Sequence, residues 1–536
     1  MFIAVTALYY FLFGSQSDST SSMTRTDTAM KPENSGAVTL DRHDVRQILF
    51  GIMLAMFLSS LDQTIIATAM PTIGQELGDF QHLSWIVTIY LLTSTAVTPL
   101  YGKFADIKGR RITMLVALAT FIVASIGCAL SNSMFLLIVA RGVQGLGGGG
   151  LIAIAQTIIG DIIPPSERGR YQAYFAIVFA SSSLLGPVLG GFFAQYLHWS
   201  MIFWINIPLG AVAFFITNSR LKKLPRNDRP RSLDLLGAVI MMTATVMLLL
   251  ALNWGGVYYA WNSLEIYVIL GGSLIFWLLF ALRLKLAREP LIPPEILQNQ
   301  VVRMGVMTAC AGIGTYIGLT IYLPIFFEAE RGLSASTSGL ALIPLMIGSV
   351  LGAQISGRTM NRWTHYKRLP LAGLFISMLG SIFLAACASS VNFILLEIVL
   401  ALISCGLGTL FPISTVSIQN AVPLHQLGTA TAASNFFRSL GGALIVALFG
   451  AIVLSGVTAG AGAEIGSLLE SLPADKAEIT RIFSYVFAAA AVGFALSFVF
   501  LFLMEERPLR GRTEITRPAS SGSSVSQASD ETAPEP

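Results

Sequence analysis

Apolar residues in this chain neither alternate nor keep to one helical stripe. They run on for about 20 positions at a time, stop at clusters of Gly, Pro or charge, and resume. A run of that length crosses the roughly 30 Å hydrocarbon layer as a helix. Lipid offers the backbone no hydrogen bonds, so only helices and closed barrels can span it, and barrel strands would alternate over about ten residues. The pattern predicts an all-α integral membrane protein with fourteen spans, near 47–71, 85–104, 112–131, 135–161, 171–197, 200–219, 233–253, 266–284, 301–327, 338–360, 369–388, 392–418, 428–454 and 482–503.

Composition excludes a single soluble core. Of 536 residues, 54% are apolar and 12% charged, with a mean hydropathy of +0.71, whereas soluble domains carry about a quarter charged residues. The net charge of +4 matters less than its placement. All but six of the 33 Lys and Arg fall in the two tails or in every second loop. Arg331, Lys476 and Arg481 lie in the opposite loops, and Arg141, Arg303 and Arg438 lie in or at the edge of spans. The positive-inside bias puts both tails and the basic loops in the cytoplasm of a cell inner membrane. Two ends on one side require an even number of spans. Cys128, Cys310, Cys387 and Cys405 stand singly inside apolar runs, without the spacing of a metal site or a disulfide framework, so no metal or cofactor is expected.

The expected organisation is a disordered tail over 1–46, a six-helix lobe over 47–219, two extra helices with linkers over 220–300, a second six-helix lobe over 301–504 and a disordered tail over 505–536. The first apolar run, Met1 to Phe13, is too short to span and lacks the basic start of a signal peptide; Met23 and Met30 offer alternative starts, which would make the first ~22 residues a start-site artefact. A faint repeat relates the halves. Gly147 to Pro164 and Gly406 to Pro423 both close an apolar run at a Pro-containing loop, and at the same displacement Gly169 matches Gly428.

Four stretches carry more than hydropathy. Gly102-Lys-Phe-Ala-Asp106-Ile-Lys-Gly109-Arg110-Arg111 lies between spans two and three. Its glycines permit a tight reversal between closely packed helices. A solvated basic loop explains its cations but not Gly, Asp and Gly at this spacing. Leu61-Asp62-Gln63-Thr64 with Ala69-Met70-Pro71 lies in the first span, Arg141-Gly142-Val143-Gln144-Gly145 in the fourth, and Gly186-Pro187-Val-Leu-Gly190-Gly191 in the fifth. In the second half, Gly357-Arg358-Thr-Met-Asn361-Arg362 reads as a degraded copy of the first loop, with Asn361 in the acidic place, and Asn435-Phe436-Phe437-Arg438 lies in span thirteen.

Together these stretches resemble the motifs of the major facilitator superfamily, in its branch of fourteen-helix drug:proton antiporters, over roughly residues 45–505. The resemblance implies two six-helix lobes with two added central helices. It also implies a cytoplasmic gate at Gly102, Asp106, Gly109, Arg110 and Arg111, with Asp106 meeting the start of span thirteen and Asp161 available to an arginine. The fifth-helix motif is associated in that family with export.

Charge inside spans marks candidate chemistry, because an intramembrane ion must face a partner or water. Asp62 lies nine residues before Pro71, deep in the bilayer, where an apolar surround favours the neutral form of a carboxyl group. Asp62, Arg141 and Glu397 are therefore the candidates for proton coupling and substrate. Asp62 read as a cavity carboxylate favours cationic or neutral compounds. Tyr90, Tyr316, Asn435, Phe436 and Arg438 are candidate cavity residues. Gly145, Gly147 and Gly150 match a dinucleotide fingerprint, but no strand precedes them. There is also no phosphate-binding Gly-x-x-x-x-Gly-Lys loop, so an ion gradient and not ATP is the expected energy source.

The expected function is secondary active transport, a proton antiporter exporting small amphipathic or cationic compounds. The alternative is a proton symporter or exporter for one metabolite such as a sugar, siderophore or organic acid. The expected partners are a small-molecule substrate, protons and the lipid bilayer, with a periplasmic adaptor and an outer-membrane channel as further possibilities, and no nucleic acid. A membrane-embedded enzyme would need a catalytic loop, and the longest connection, 455–481, carries no paired carboxylates near His or Cys.

Overall fold

The computed structural model describes residues 42–223, 232–363, 365–387, 391–455 and 476–509. The expected tails, apart from 42–46 and 505–509, and the loop at 456–475 lie outside them. The helices are α1 (Arg42–Leu77), α2 (Trp85–Lys108), α3 (Arg110–Ala129), α4 (Met134–Ile162), α5 (Pro165–Tyr196) and α6 (Met201–Arg220, broken at Ile205). Then follow α7 (Leu235–Trp254), α8 (Leu264–Leu286), α9 (Gln300–Arg331), α10 (Ile343–Arg362) and α11 (Arg368–Cys387). The last three are α12 (Phe393–Ala421, broken at Thr409), α13 (Leu427–Ser455) and α14 (Lys476–Leu503).

Thirteen of these are long and apolar enough to cross a membrane. The other, α2, reaches spanning length at 24 residues, its hydropathy diluted by Thr88, Thr93, Ser94, Thr95 and Thr98. The first span differs from expectation at its end. It runs through Pro71 to Leu77, because a proline inside a membrane helix costs little when neighbouring helices take up the freed carbonyl.

The faint repeat becomes a regular one in three dimensions. Helices α1 to α4 start at Arg42, Trp85, Arg110 and Met134, and α9 to α12 start at Gln300, Ile343, Arg368 and Phe393. Each pair is separated by 258 or 259 residues; Met134 to Phe393, for example, is 259. Within the first half α4 packs on α2 and α3, and α1 on α5 and α6. Within the second, α12 packs on α10 and α11, and α9 on α13 and α14. The two added helices are central in sequence but peripheral in space. They pair with each other, with Asp234 capping α7 and bonding to Arg283 of α8 at 3.0 Å, and α7 lies against α2 and α13.

The halves touch along two symmetric seams, α2 on α13 and α5 on α10. Helices without a hydrophobic drive between them associate where small residues let backbones approach. In the first seam a side chain on Gly102 would meet the Gly428 carbonyl oxygen at 2.6 Å. In the second, a side chain on Gly169 would meet the Gly357 carbonyl oxygen at 3.2 Å. Gly169 and Gly428 keep the repeat displacement, and Gly102 and Gly357 open the corresponding loop motifs of the two halves, so one contact mirrors the other. Both lie at the end of the bundle that carries the basic loops, hereafter the basic face.

Glycines are essential only where backbones meet. A side chain at Gly352 of α10 would overlap the Cys405 carbonyl of α12, whereas nothing lies within 4 Å of the Cβ position at Gly271 of α8. Gly352→Ala should lower thermal stability in detergent by an amount corresponding to about 1–3 kcal/mol, and Gly271→Ala should leave it at the wild-type value. Equal melting temperatures for the two would contradict the packing.

Candidate functional site

Between the halves lies a cavity of 440 Å³, walled mainly by α1, α2, α4, α7, α9 and α13. Its polar atoms come from Gln63, Thr95, Asn253, Asn435 and Ser439, and its apolar walls include Leu249, Ile317, Ile321 and Tyr322. Arg438 supplies a charge, and no described wall residue is acidic. The cavity extends away from the basic face towards Gly255, Val257 and Leu454, at the far ends of α7 and α13. There Ser84 and Tyr258 share a 2.9 Å hydrogen bond and Trp85 packs edge-on to Trp254, so the extra pair covers the α2 side of the opening.

Asp62 is not on this wall. Its neighbour Gln63 is, and the carboxylate turns instead into the core of the first half, with 1% of the residue exposed. Arg141, equally buried, donates to Asp62 Oδ2 at 2.6 Å and to Gln144 Oε1 at 2.7 Å. Gln144 and Asn206 donate to Asp62 Oδ1 at 2.9 and 3.0 Å, and Gln144 also donates to Ser125 at 2.8 Å. The guanidinium lies 4.4 Å from the centre of the Tyr90 ring, and the Tyr90 hydroxyl is 3.3 Å from Ser59. Four helices thus contribute to one ionic centre: α1, α3, α4 and α6. The carboxylate expected in the cavity is paired in the core, and Tyr90 shields that pair and does not line the cavity. A buried ion pair holds when its remaining lone pairs and protons are also satisfied, and both oxygens of Asp62 are.

On the basic face Asp106 joins the halves. It accepts from the Gly428 and Thr429 backbone N–H groups at 3.1 and 2.8 Å and from the Thr429 hydroxyl at 2.7 Å, at the start of α13. A carboxylate there meets the positive end of the helix dipole. Arg110 clamps it from behind, 2.5 Å from Asp106 and 2.6 Å from Asp161. Gly109, with φ of 89°, makes the turn that brings Arg110 back onto Asp106; a side chain there would be strained. Arg111 does not join this clasp. It donates to the Asn218 side chain of α6 at 2.5 Å and to its carbonyl at 3.2 Å, inside its own half.

A third layer, unsuspected from the sequence, floors the cavity. Asn435 donates to Gln156 Oε1 at 2.7 Å, and Gln419 donates to the Gln156 carbonyl at 3.1 Å and to Thr431 at 3.2 Å. It stitches α4 to α12 and α13 without charge. Amides inside apolar runs, as at Gln144, Gln156, Asn206 and Gln419, were the available signal.

The sequence profile described as Major Facilitator Superfamily matches residues 52–446. This chain belongs to the major facilitator superfamily. It is 31% identical over 509 residues to Multidrug resistance protein 3 of Bacillus subtilis, covering 90% of this chain and 99% of the relative. It is 33% identical over 407 residues to the Multidrug transporter protein MdtP of the same organism, covering 76% and 75%. Among solved structures, the proton:xylose symporter XylE superposes with a TM-score of 0.60 at 12% identity, covering 86% of this chain and 96% of the other; that likeness concerns the fold alone.

Elsewhere in this facilitator the remaining candidates separate. Gly186, Pro187 and Gly190 bring α5 against α1, where Thr64 donates to the Ser182 carbonyl at 2.9 Å and Thr68 to the Pro187 carbonyl at 3.3 Å; Gly191 faces no neighbour within 4 Å. Asn435 and Arg438 line the cavity, one helical turn apart on α13. Phe436, rotated to the other side, packs on Trp277 of α8 at 6.2 Å. Tyr316 bonds to Ser349 at 3.4 Å and meets Phe411 edge-on, inside the second half. Glu397 is half-buried on α12, with both carboxylate oxygens buried and without a hydrogen-bond partner among the described residues, and is absent from both the cavity wall and the Asp62 centre.

Asp106→Asn removes the charge from the clasp but keeps its shape. Charge-assisted bonds of this kind contribute about 1.5–3 kcal/mol. A cysteine placed at Ala432, beside Gly102, should therefore react with a permeant maleimide about tenfold faster in the Asn variant. An unchanged rate would mean that Asp106 does not hold the seam.

Proposed function

We propose that this protein is a proton-coupled antiporter of the cell inner membrane that exports small amphipathic compounds, with both termini and the basic face in the cytoplasm. The observation that carries the reading is the juxtaposition of a largely apolar cavity, closed towards the basic face, with a fully buried Asp62–Arg141 pair. The pair's chain neighbour Gln63 lies on the cavity wall. The two Bacillus relatives, both named for multidrug transport or resistance, support the choice of efflux and of amphipathic cargo.

In this reading the described conformation is outward-facing. The Asp106 clasp and the Gln156–Gln419–Asn435 layer close the cytoplasmic side in two tiers. While Asp62 is ionised, the pair with Arg141 is neutral overall and locks the first half. A proton arriving at Asp62 leaves Arg141 buried without its partner, and breaking such a pair costs about 3–5 kcal/mol. That penalty is relieved by rearranging α1 against α4, which loosens the seams and opens the cavity inward. Loss of the proton to the cytoplasm restores the pair and returns the cavity, loaded, to the outside. Small polar steps at Ser59 and Tyr90 connect the centre to the wall.

Two measurements test this. In proteoliposomes with an imposed proton gradient, wild type should move an amphipathic dye against its gradient, and Asp62→Asn should insert and bind the dye but lose gradient-driven exchange by about a hundredfold, the effect expected when breaking the pair no longer supplies about 3 kcal/mol. Wild-type rates in that variant, with an unchanged pH profile, would remove Asp62 from the coupling. For topology, a cysteine at Asn262 should react with an impermeant reagent on intact cells, and one at Lys222 only after permeabilisation. The reverse pattern would invert the assignment of faces.

A further inference from the structure

The charges of the two lobes are almost all answered from within the chain. Asp62 and Arg141 answer each other, as do Asp106, Arg110 and Asp161. Arg438 is different. It lies mid-helix on α13, on the face that also carries Asn435, Ser439 and Gly442 into the cavity. Among the described residues no carboxylate pairs with it and no acceptor takes its N–H groups. An arginine at this depth needs a partner or water, and the cavity is the place where it finds either. Two hydroxyls on the same wall, Thr95 and Ser439, are likewise not engaged in any hydrogen bond within the described residues.

This reverses the electrostatic expectation drawn from the sequence. Asp62 is sealed into the core by three donors, one each from Arg141, Gln144 and Asn206, so it offers nothing to a cation in the cavity. The wall presents a planar fork of N–H donors, which matches the two oxygens of a carboxylate or sulfonate. The same cavity is also lined by Leu249, Ile317, Ile321 and Tyr322, a surface for an apolar body, in a volume of 440 Å³ that suits a drug-sized molecule.

We propose that the cavity selects amphipathic anions, seating a carboxylate or sulfonate on Arg438 with the hydroxyls of Thr95 and Ser439 as further donors. This rests on reading the cavity as the transport site. It also fits the energetics of export from a cell whose interior is negative, because that potential assists the exit of an anion and the entry of a proton alike. Arg438 is the residue that sets substrate charge, while Asp62 and Arg141, one layer behind, handle the proton.

The test uses three fluorescent probes on one scaffold, dansylglycine (anion), dansylamide (neutral) and N-(2-aminoethyl)dansylamide (cation), bound to the purified full chain in nanodiscs of neutral lipid. Wild type should bind dansylglycine about tenfold or more tighter than the cation, the range expected for charge-assisted hydrogen bonds away from bulk water. Arg438→Gln should bring the three probes to within about twofold of each other, chiefly by weakening dansylglycine. Arg438→Lys, which keeps the charge but loses the fork, should fall between them. Ser439→Asp supplies an internal carboxylate beside an intact Arg438 and should abolish the anion preference even if Arg438→Gln proves unstable. Preference of wild type for the cation, or an unchanged ranking in Arg438→Gln and Ser439→Asp, overturns the proposal. Binding in nanodiscs needs no gradient, so loss of proton coupling in proteoliposomes with this charge preference intact would count against the coupling scheme alone.

Discussion

Everything in this bundle follows from a solvent that accepts and donates no hydrogen bonds. A polar group placed between the helices must find its partner in the chain or in the cavity, and a charge placed there costs about 2.5–3.5 kcal/mol on insertion scales if it does not. The Asp62–Arg141 centre is the fullest expression of that constraint. Four helices are held in register because each brings a donor or acceptor that the ion pair requires, from Ser125 on α3 to Asn206 on α6. The first half is therefore built around an ionic core. The second half has no such centre among its described residues; it is built on apolar packing around Phe326, Phe449, Phe483 and Phe487 and on close glycine crossings.

The same asymmetry governs how the halves meet. Duplication gives two equivalent seams, Gly102 with Gly428 and Gly169 with Gly357, and in both the backbones touch. The first has the Asp106 clasp at a helix start, backed by Arg110 and Asp161. In the copy the sequence places Asn361 where an aspartate would stand. A joint with one charged seam and one chiefly steric seam can be released by charge on one side while the other acts as a pivot. The uncharged Gln156–Gln419–Asn435 layer sits between that joint and the cavity floor, and its amides can exchange partners with little desolvation cost. The ionic centre, the lobe contact and the cavity wall are thus adjoining layers that share helix α4.

Much of this was legible in the chain. Hydropathy placed fourteen spans to within a few residues for most helices, and the alternation of Lys and Arg ordered the loops. The repeat appeared as a faint match at Gly147 and Gly406 that the helix starts then made regular. The Gly102–Arg111 loop announced a tight turn with a carboxylate, and the turn is there, made by Gly109. The sequence could also say that Asp62 and Arg141 needed partners. It could not say that each is the other's partner, 79 positions away, nor that Arg111 would leave the loop for Asn218, nor that Phe436 and Tyr316 would turn from the cavity into packing.

The division has a physical reason. Membrane insertion acts on each segment separately, through length, apolarity and flanking charge, so span number and the identity of the costly residues are written locally and are legible in the sequence alone. Which way a side chain faces depends on how helices rotate and cross, and that is settled by long-range contacts between backbones at glycines such as Gly352 and Gly408. Only the tertiary structure could therefore decide that the acidic residue expected in the cavity lies behind its wall, neutralised, and that the charge on that wall is Arg438.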